Sequence, residues 1–532
     1  MCGIAGIVFS EKQDHSEIDF SASLNLLNHR GPDASGIYKD QKVCLGHQRL
    51  SIIDLNENAN QPFRDEDFVL IFNGEIYNYK SLRQPMIDKG LKFKTESDTE
   101  VLFELLKEQG ESALESLQGC FSFAFYSIHE KKLLLTRDPF GINPLYYAQT
   151  EKGFLFASEM RTLFSLEPKF ELDHNAIRNY FDLSYIPSPL SISQNAKKLE
   201  PGHYLIVSED KIALKSFHSI NRKVDRQISY VDASQKLRNI LDAAVAKRLV
   251  SDVPLGTFLS GGIDSSIISA IASKHVTGLS TFSIGFENAS FYDETEYAEE
   301  VAERIGSHHK TIRLADSDLI ESAKEILRHI DEPFADSSAI AVNLLCKEVS
   351  KHITVALSGD GADEIFSGYN KHKAENMFIN KAPLTRWIKL IPRLGNSSRD
   401  GRFSNLFRQL NKLKEGANLA IEERYEKWLY QLNFSNEILL DNTPSSNEFI
   451  EDLYIKDMND ILYWDTKTIL SNDMLYKVDM CSMKNSLEVR TPFLDKEVVN
   501  FAFSLPVDYK LKGSKTKRIL RDTFKTELPY NV

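Results

Sequence analysis

"FLSGGIDSS" (258–266) joins a short apolar run to a helical one, and its reading decides the fold of the larger part of the chain. Gly261 and Gly262 let the backbone approach an anion closely, and Ser260, Ser265 and Ser266 add hydroxyl donors. The "SSIISAIAS" stretch that follows reads as a helix aiming its amino end at the same anion. No GK[ST] follows, so this is not a Walker A loop. Asp264 sharpens the reading. A carboxylate inside an anion-binding turn is unfavourable unless a cation bridges it to phosphate, which points to Mg²⁺.

Working outward, "LSTFSIGF" (279–286) and "HITVALSGDG" (352–361) are again short apolar runs ending in glycine or a polar turn. Helical stretches alternate with them, the signature of an α/β doubly wound parallel sheet. In such sheets ligands bind beyond the carboxyl ends of the strands. "ALSGDGADE" (356–364) is a second acidic turn, with Ser358, Gly359, Asp360, Asp363 and Glu364. Either turn alone could be a solvated loop. Two at the ends of neighbouring strands would face one crevice.

The first two hundred residues are organised differently. "FVLIFNGEIYN" (68–78), "CFSFAFYSI" (120–128) and "KLLLTRD" (132–138) read as strands, with "HEKK" a hairpin connection. "SDTEVLFELLKEQG" (97–110) reads as a helix with a Ser/Asp start, an acidic first turn and a glycine stop. Long strands with few helices between them predict an α+β layered domain. "HYLIVSEDKIALKSF" (203–217) closes this part, and "SINRKVDRQISY" (219–230) is polar enough to be a linker. The boundaries expected are 1–210 and 232–532. The stretch 395–450 is polar and helical in parts, with "NSSRDG" and "NTPSSN" as loops.

A chain of 532 residues exceeds one ordinary core. Its net charge of −12 disfavours nucleic acid as the main partner, since no basic surplus neutralises phosphates. The five cysteines show no CxxC pair, which favours a reducing, cytoplasmic compartment over disulfides or structural zinc. No run of eighteen apolar residues is present, so no membrane span is expected.

One of those cysteines stands at position two, in "MCGIAGIV" (1–8). A lipid-anchor role fails because only Met1 precedes it, with no signal region. A buried strand residue and a terminal nucleophile remain. Loss of Met1 would leave Cys2 with a thiol and a free α-amine, a self-contained nucleophile–base pair near neutral pH. Arg49, in "GHQRLSIID" (46–54), can grip a carboxylate in two-pronged fashion. Asn73 and Gly74 offer a side-chain amide and a backbone N–H of the kind that stabilises an oxyanion. Glu75 and Asp98 could bind an ammonium group. Together these groups suit glutamine.

The set closely resembles the class II glutamine amidotransferase domain, in motif order: MCGIAG, HRGPD (29–33), GHxRLSIID, NGEIYN, SDTE, RDPFG (137–141) and PLYY (144–147). SGGxDS followed by SGxGxDE resembles the ATP-pyrophosphatase domain. The likeness continues through "FASEM", "PGHYL" and "DEPFADSSAI" (331–340) to "SLEVRTPFLD" (486–495), and so covers nearly the whole chain. Head and body together resemble the glutamine-hydrolysing asparagine synthetases. The resemblance implies an N-terminal nucleophile αββα sandwich followed by the ATP-pyrophosphatase sheet. It implies that Cys2 is the nucleophile, and that ATP is cleaved to AMP and pyrophosphate as an acceptor carboxylate is adenylated. It places Ser260, Gly261, Gly262, Asp264 and Ser265 on pyrophosphate, and Leu259, Ile284, Ser358 and Gly359 around adenosine. Asp264 and Asp363 would hold Mg²⁺, Asp360 would stand near the adenylate, and Lys517, in "KTKRILR" (515–521), would offset negative charge. A basic residue on a helix is otherwise usually solvated.

The expected reaction makes asparagine from aspartate, ATP and glutamine. The alternative keeps the chemistry on another acceptor, such as a sugar acid in polysaccharide synthesis. A non-catalytic glutamine and nucleotide sensor is the reading from another class; intact Cys2, Asp264 and Asp363 count against it. Glu488 and Arg490 are candidates for the acceptor pocket, or else an ion pair with each other. Two departures stand out. Asn143 replaces a commonly basic residue, which bears on coupling between sites, and the chain stops at "ELPYNV", where relatives usually continue. A homodimer is compatible with the sequence but not marked by it, and the ammonia path is not legible.

Overall fold

The computed structural model describes residues 1–10, 18–209, 211–287, 294–380, 402–430 and 454–529. The loops 396–401 and 442–447 expected from sequence lie outside the described residues. Helices at Arg402–Gly416 and Ile421–Leu429 occupy part of the polar stretch between them.

The amino-terminal part is built from β1 (Gly3–Phe9), β2 (Ala34–Lys39), β3 (Val43–Arg49), β4 (Phe63–Arg64), β5 (Phe68–Ile76), β6 (Gly119–Ser127), β7 (Lys132–Arg137), β8 (Tyr146–Thr150), β9 (Gly153–Ala157), β10 (Ala196–Lys198), β11 (His203–Val207) and β12 (Ile212–Ser216). They form two six-stranded sheets, β10-β8-β9-β1-β3-β2 and β12-β11-β7-β6-β5-β4. Alternating apolar residues from both inner faces, among them Ile4, Leu45, Ile71, Ala124 and Leu135, fill the space between. The outer face of the first sheet is covered by α1 (Phe20–Asn25) and by helices at Met160–Leu166 and His174–Leu183. The outer face of the second is covered by the helices Tyr79–Asp88 and Asp98–Gln109. The result is the expected αββα sandwich. β12 pairs with β11, so the second sheet runs past residue 210.

The helix 98–109 starts and stops as its sequence requires. Ser97 accepts from the Thr99 amide at the start, and Gly110 ends it at φ 57°.

The second part carries β13 (Leu255–Phe258), β14 (Ser280–Phe286), β15 (His308–Leu314), β16 (Val355–Leu357) and β17 (Glu488–Arg490). All four pairings are parallel, and the order is β15-β14-β13-β16-β17. From β13 the chain builds outward through β14 to β15, then returns to the other side of β13 with β16. That reversal makes a switch point between β13 and β16. The two glycine–acid turns leave the carboxyl ends of these adjacent strands and open on the same side.

The two parts are joined by buried polar contacts. Arg30 pairs with Asp479, Tyr146 donates to Glu332 at 2.9 Å, and Ser188 donates to Asn472 Oδ1 at 2.8 Å.

Candidate active site

At the head, the start of β1 puts Cys2 against the ends of β3 and β5. One small pocket is lined by Cys2, Arg49, Gly74, Glu75, Asp98 and Met1, whereas Asn73 lies behind it with its Nδ2 donating to Ser122 Oγ at 3.4 Å. The Cys2 N–H donates to Asn73 Oδ1 at 2.7 Å, which orients the Asn73 amide with its NH₂ turned away from that contact. The Cys2 carbonyl accepts from Arg30 Nε at 3.0 Å, and the Leu50 amide points at its sulfur at 3.4 Å. Burial pushes the thiol pKa up, against the pull of the nearby amine and the Leu50 backbone.

Gly74 has to be glycine. Its φ is 148°, and a Cβ there would lie 2.1 Å from the Cys120 carbonyl oxygen. The preceding Asn73 carbonyl accepts from Asn143 Nδ2 at 2.7 Å, and Asn143 is itself fully buried in the Asp138 turn. Asn143, at the position where a basic residue is common, therefore braces the strand that carries Asn73 and Gly74.

Arg49 lines the pocket, but its terminal nitrogens donate to the 53–60 loop, to the carbonyls of Ile53, Asp54 and Asn56 and to Asn60 Oδ1. The free two-pronged grip expected from sequence is not displayed; the guanidinium instead shapes the loop over the pocket.

Glu75 and Asp98 are both buried beside the pocket. Burial drives both pKa values up; Asp98 reaches about 6 despite the amides of Ile76 and Thr99. Glu488 stands behind them. Its carboxylate pairs with the Met1 ammonium and with Arg490 Nε, the latter at 2.6 Å. Arg490 donates onward to the carbonyls of Arg248 and Val250. Of the two readings left open for Glu488 and Arg490, the ion pair is the one present, and it lies behind the head's pocket.

The body site is built by its two turns. Ser260 Oγ and Ser265 Oγ lie 3.0 Å apart, the Ser260 amide donates to Ser265 Oγ at 3.2 Å, and Gly261 takes φ 76°. Gly359 packs so close to the other turn that a Cβ would lie 2.8 Å from the Asp264 Cβ and the Ser265 amide. Leu259 is buried under the turn against Ala298 and Val301, and Ile284 sits on the neighbouring β14. Asp360 accepts from Ser358 Oγ at 2.7 Å.

Lys517 is buried rather than solvated. Its Nζ lies 2.5 Å from Asp264 and 2.6 Å from Asp363, gathering both carboxylates from opposite turns. Asp264 keeps a buried Oδ1 with no partner, and burial pushes its pKa up to about 6 in spite of Lys517. Two convergent carboxylates with an unused buried oxygen fit a hard divalent cation.

Sequence reasoning missed Lys477. It is buried, pairs with Asp336 at 2.6 Å and stands close enough to Asp360 to feel its charge. Its signal was weak, a lone lysine in an apolar helix at Leu475–Met483.

Comparisons with known proteins cover both parts of the chain. Residues 236–532 match the "Asparagine synthase" family model, and residues 1–218 match "Glutamine amidotransferase domain". Asparagine synthetase [glutamine-hydrolyzing] 1 of Bacillus subtilis is 35% identical over 546 residues, covering 100% of this chain and 85% of the relative. The chain belongs to the glutamine-hydrolysing asparagine synthetase family. Asparagine synthetase [glutamine-hydrolyzing] 3 of the same organism is 30% identical, again over 100% of this chain and 85% of its own length. Asparagine synthetase B of Escherichia coli is 33% identical over 72% of this chain and 66% of its length. Membership of this family makes the body an ATP-dependent ligase. Among the described residues no helix is long and apolar enough to cross a membrane.

Proposed function

We propose that the protein hydrolyses glutamine at Cys2 and uses the ammonia, with ATP, to convert aspartate to asparagine, releasing AMP and pyrophosphate. The observation that carries this reading is the joint presence of two sites in one chain. Cys2, Gly74 and Asp98 share one pocket, and Asp264, Asp363 and Lys517 share one crevice. The names of the full-length relatives favour aspartate over a sugar acid as acceptor.

In the head, removal of Met1 would free the α-amine of Cys2 and the space beside Glu488. That amine takes the thiol proton as sulfur attacks the glutamine amide carbon. The Gly74 N–H and Asn73 Nδ2, once it leaves Ser122 Oγ, would serve the developing oxyanion, and Asp98, with Glu75 beside Arg490, would hold the substrate ammonium. The leaving ammonia takes the proton back from the amine, and water then releases glutamate from the thioester.

In the body, the serine and glycine donors of 260–265 cradle the pyrophosphate while Asp360 and Lys477 stand at the reacting carboxylate. Asp264 and Asp363 would hold Mg²⁺, which offsets phosphate charge. Lys517 lies between them and supplies a fixed positive charge as pyrophosphate leaves. Ammonia then displaces AMP to form the amide. Five buried cysteines, none in a disulfide, support a cytoplasmic setting.

A pyrophosphate-release assay with ATP and a panel of carboxylates tests the reading. Aspartate should stimulate release far more than any uronic acid; a uronic acid winning that comparison would overturn the acceptor, and ADP as product would overturn the chemistry.

A further inference from the structure

Away from both sites, three metal-ligating side chains from separate segments meet at the join between the two parts. His29 lies in the loop after α1, Glu159 follows β9, and His329 ends the helix Asp316–His329 of the second part. His29 Nε2 is 2.9 Å from Glu159 Oε1, and the two imidazoles meet edge to face with centroids 4.8 Å apart. One ligand atom from each of the three residues lies within 4.8 Å of the other two. A tetrahedral site with metal–ligand bonds of about 2.0–2.1 Å needs ligand atoms roughly 3.3 Å apart, so small side-chain rotations close it.

The surrounding charge permits a cation. Two guanidinium groups touch Glu159: Arg30 at 3.0 Å and Arg161 at 2.9 Å. Each also has a second carboxylate, Asp479 for Arg30 at 2.7 Å and Asp331 for Arg161 at 3.7 Å. Lys484, whose charge also reaches His329, shares Glu325 with Lys347, so the carboxylates and cations around the cluster balance before any metal binds. The activity assigned above uses neither His29 nor His329.

We propose that His29, Glu159 and His329 bind one divalent transition-metal ion of the zinc class, clipping the two parts of the chain together. Two imidazoles and one carboxylate suit zinc, cobalt or nickel, and are a poor set for magnesium or calcium. The ion has three protein ligands and keeps a fourth position for water. Arg30 carries its effect toward the head, since the same guanidinium touches Glu159 and the carbonyl of Cys2.

The full-length protein, stripped with chelator and free of nucleotide, is titrated with Co²⁺ and followed by visible absorption and metal content. One cobalt per chain with d–d bands is expected. His329→Ala and His29→Ala should each weaken binding by at least about a hundredfold. The exposed His129, paired with Asp67, is the control, and His129→Ala should leave binding unchanged. Cobalt-edge X-ray absorption on the unmodified chain should show two imidazoles, whether or not the variants fold. No stoichiometric cobalt, retention by His329→Ala, or a spectrum without imidazole overturns the proposal; the cluster is then an ion-pair network only.

Discussion

Arg30 grips Asp479 through both terminal nitrogens, at 2.8 and 2.7 Å, while its Nε donates to the carbonyl of Cys2 at 3.0 Å. The Arg30 side chain is fully buried and Asp479 nearly so. One residue thus ties the body of the chain to the backbone of the proposed nucleophile. A buried pair of this kind is costly to break, and Arg30 would keep only Glu159, at 3.0 Å, as a charged partner.

Asp479→Asn should therefore lower unfolding stability by about 1.5–3 kcal/mol, read by denaturant titration. It should also raise the glutamate-to-asparagine ratio, because the head loses its fixed register on the body. A variant with unchanged stability and unchanged ratio would show that the pair holds nothing in place.

Cys2→Ala removes the thiol but leaves the body untouched. Glutamine-dependent synthesis should vanish, and synthesis from added ammonia should persist. Persisting glutaminase activity would sink the nucleophile assignment, and so would a mature chain found by mass spectrometry to retain Met1.

Asp264→Asn keeps the volume and removes a charge that Lys517 now shares between two carboxylates. Pyrophosphate release should fall by about two orders of magnitude or more with either nitrogen source. Basal glutamine hydrolysis should stay measurable. Comparable loss in both activities would mean that the residue acts through folding.

Asn143→Ala deletes the brace on the Asn73 carbonyl. The donors stay present but lose their fixed position, so kcat for glutaminase should fall about tenfold with little change in KM. A change confined to KM would place Asn143 in substrate binding instead.

The pH profile of the head follows from Asp98. Burial first, with Glu488 adding to it, raises this carboxyl from its ordinary value of 3.8 to about 6. Below that pH it takes up a proton and no longer draws the substrate ammonium. Glutamine binding to the Cys2→Ala protein, which lacks the thiol–amine step, should weaken on the acid side with an apparent pKa near 6. An acid limb near 4 would show that the carboxylate stays ionised and solvated.

Much of this is legible in the sequence. Helix 98–109 carried its own cap and stop. The glycine–acid turns carried backbone chemistry that few other folds use, and the motifs of Cys2, Gly74 and Asp264 each need a particular residue type at a particular place. These are local demands, and local demands leave a mark in sequence. Tertiary structure decided what depends on distance. Lys517, in a left-handed turn at the start of the helix Arg518–Thr523, and Lys477, a lone lysine in a helix, reach Asp264, Asp363 and Asp336 only through tertiary packing. Glu488 and Arg490, adjacent in one motif, could be ligands or partners until β17 put them edge-on to the head. Arg30 and Asp479 lie 449 positions apart, and no periodicity relates them. The pairing of two buried charges is settled by where the two parts of the chain meet, and that information resides in no single stretch of it.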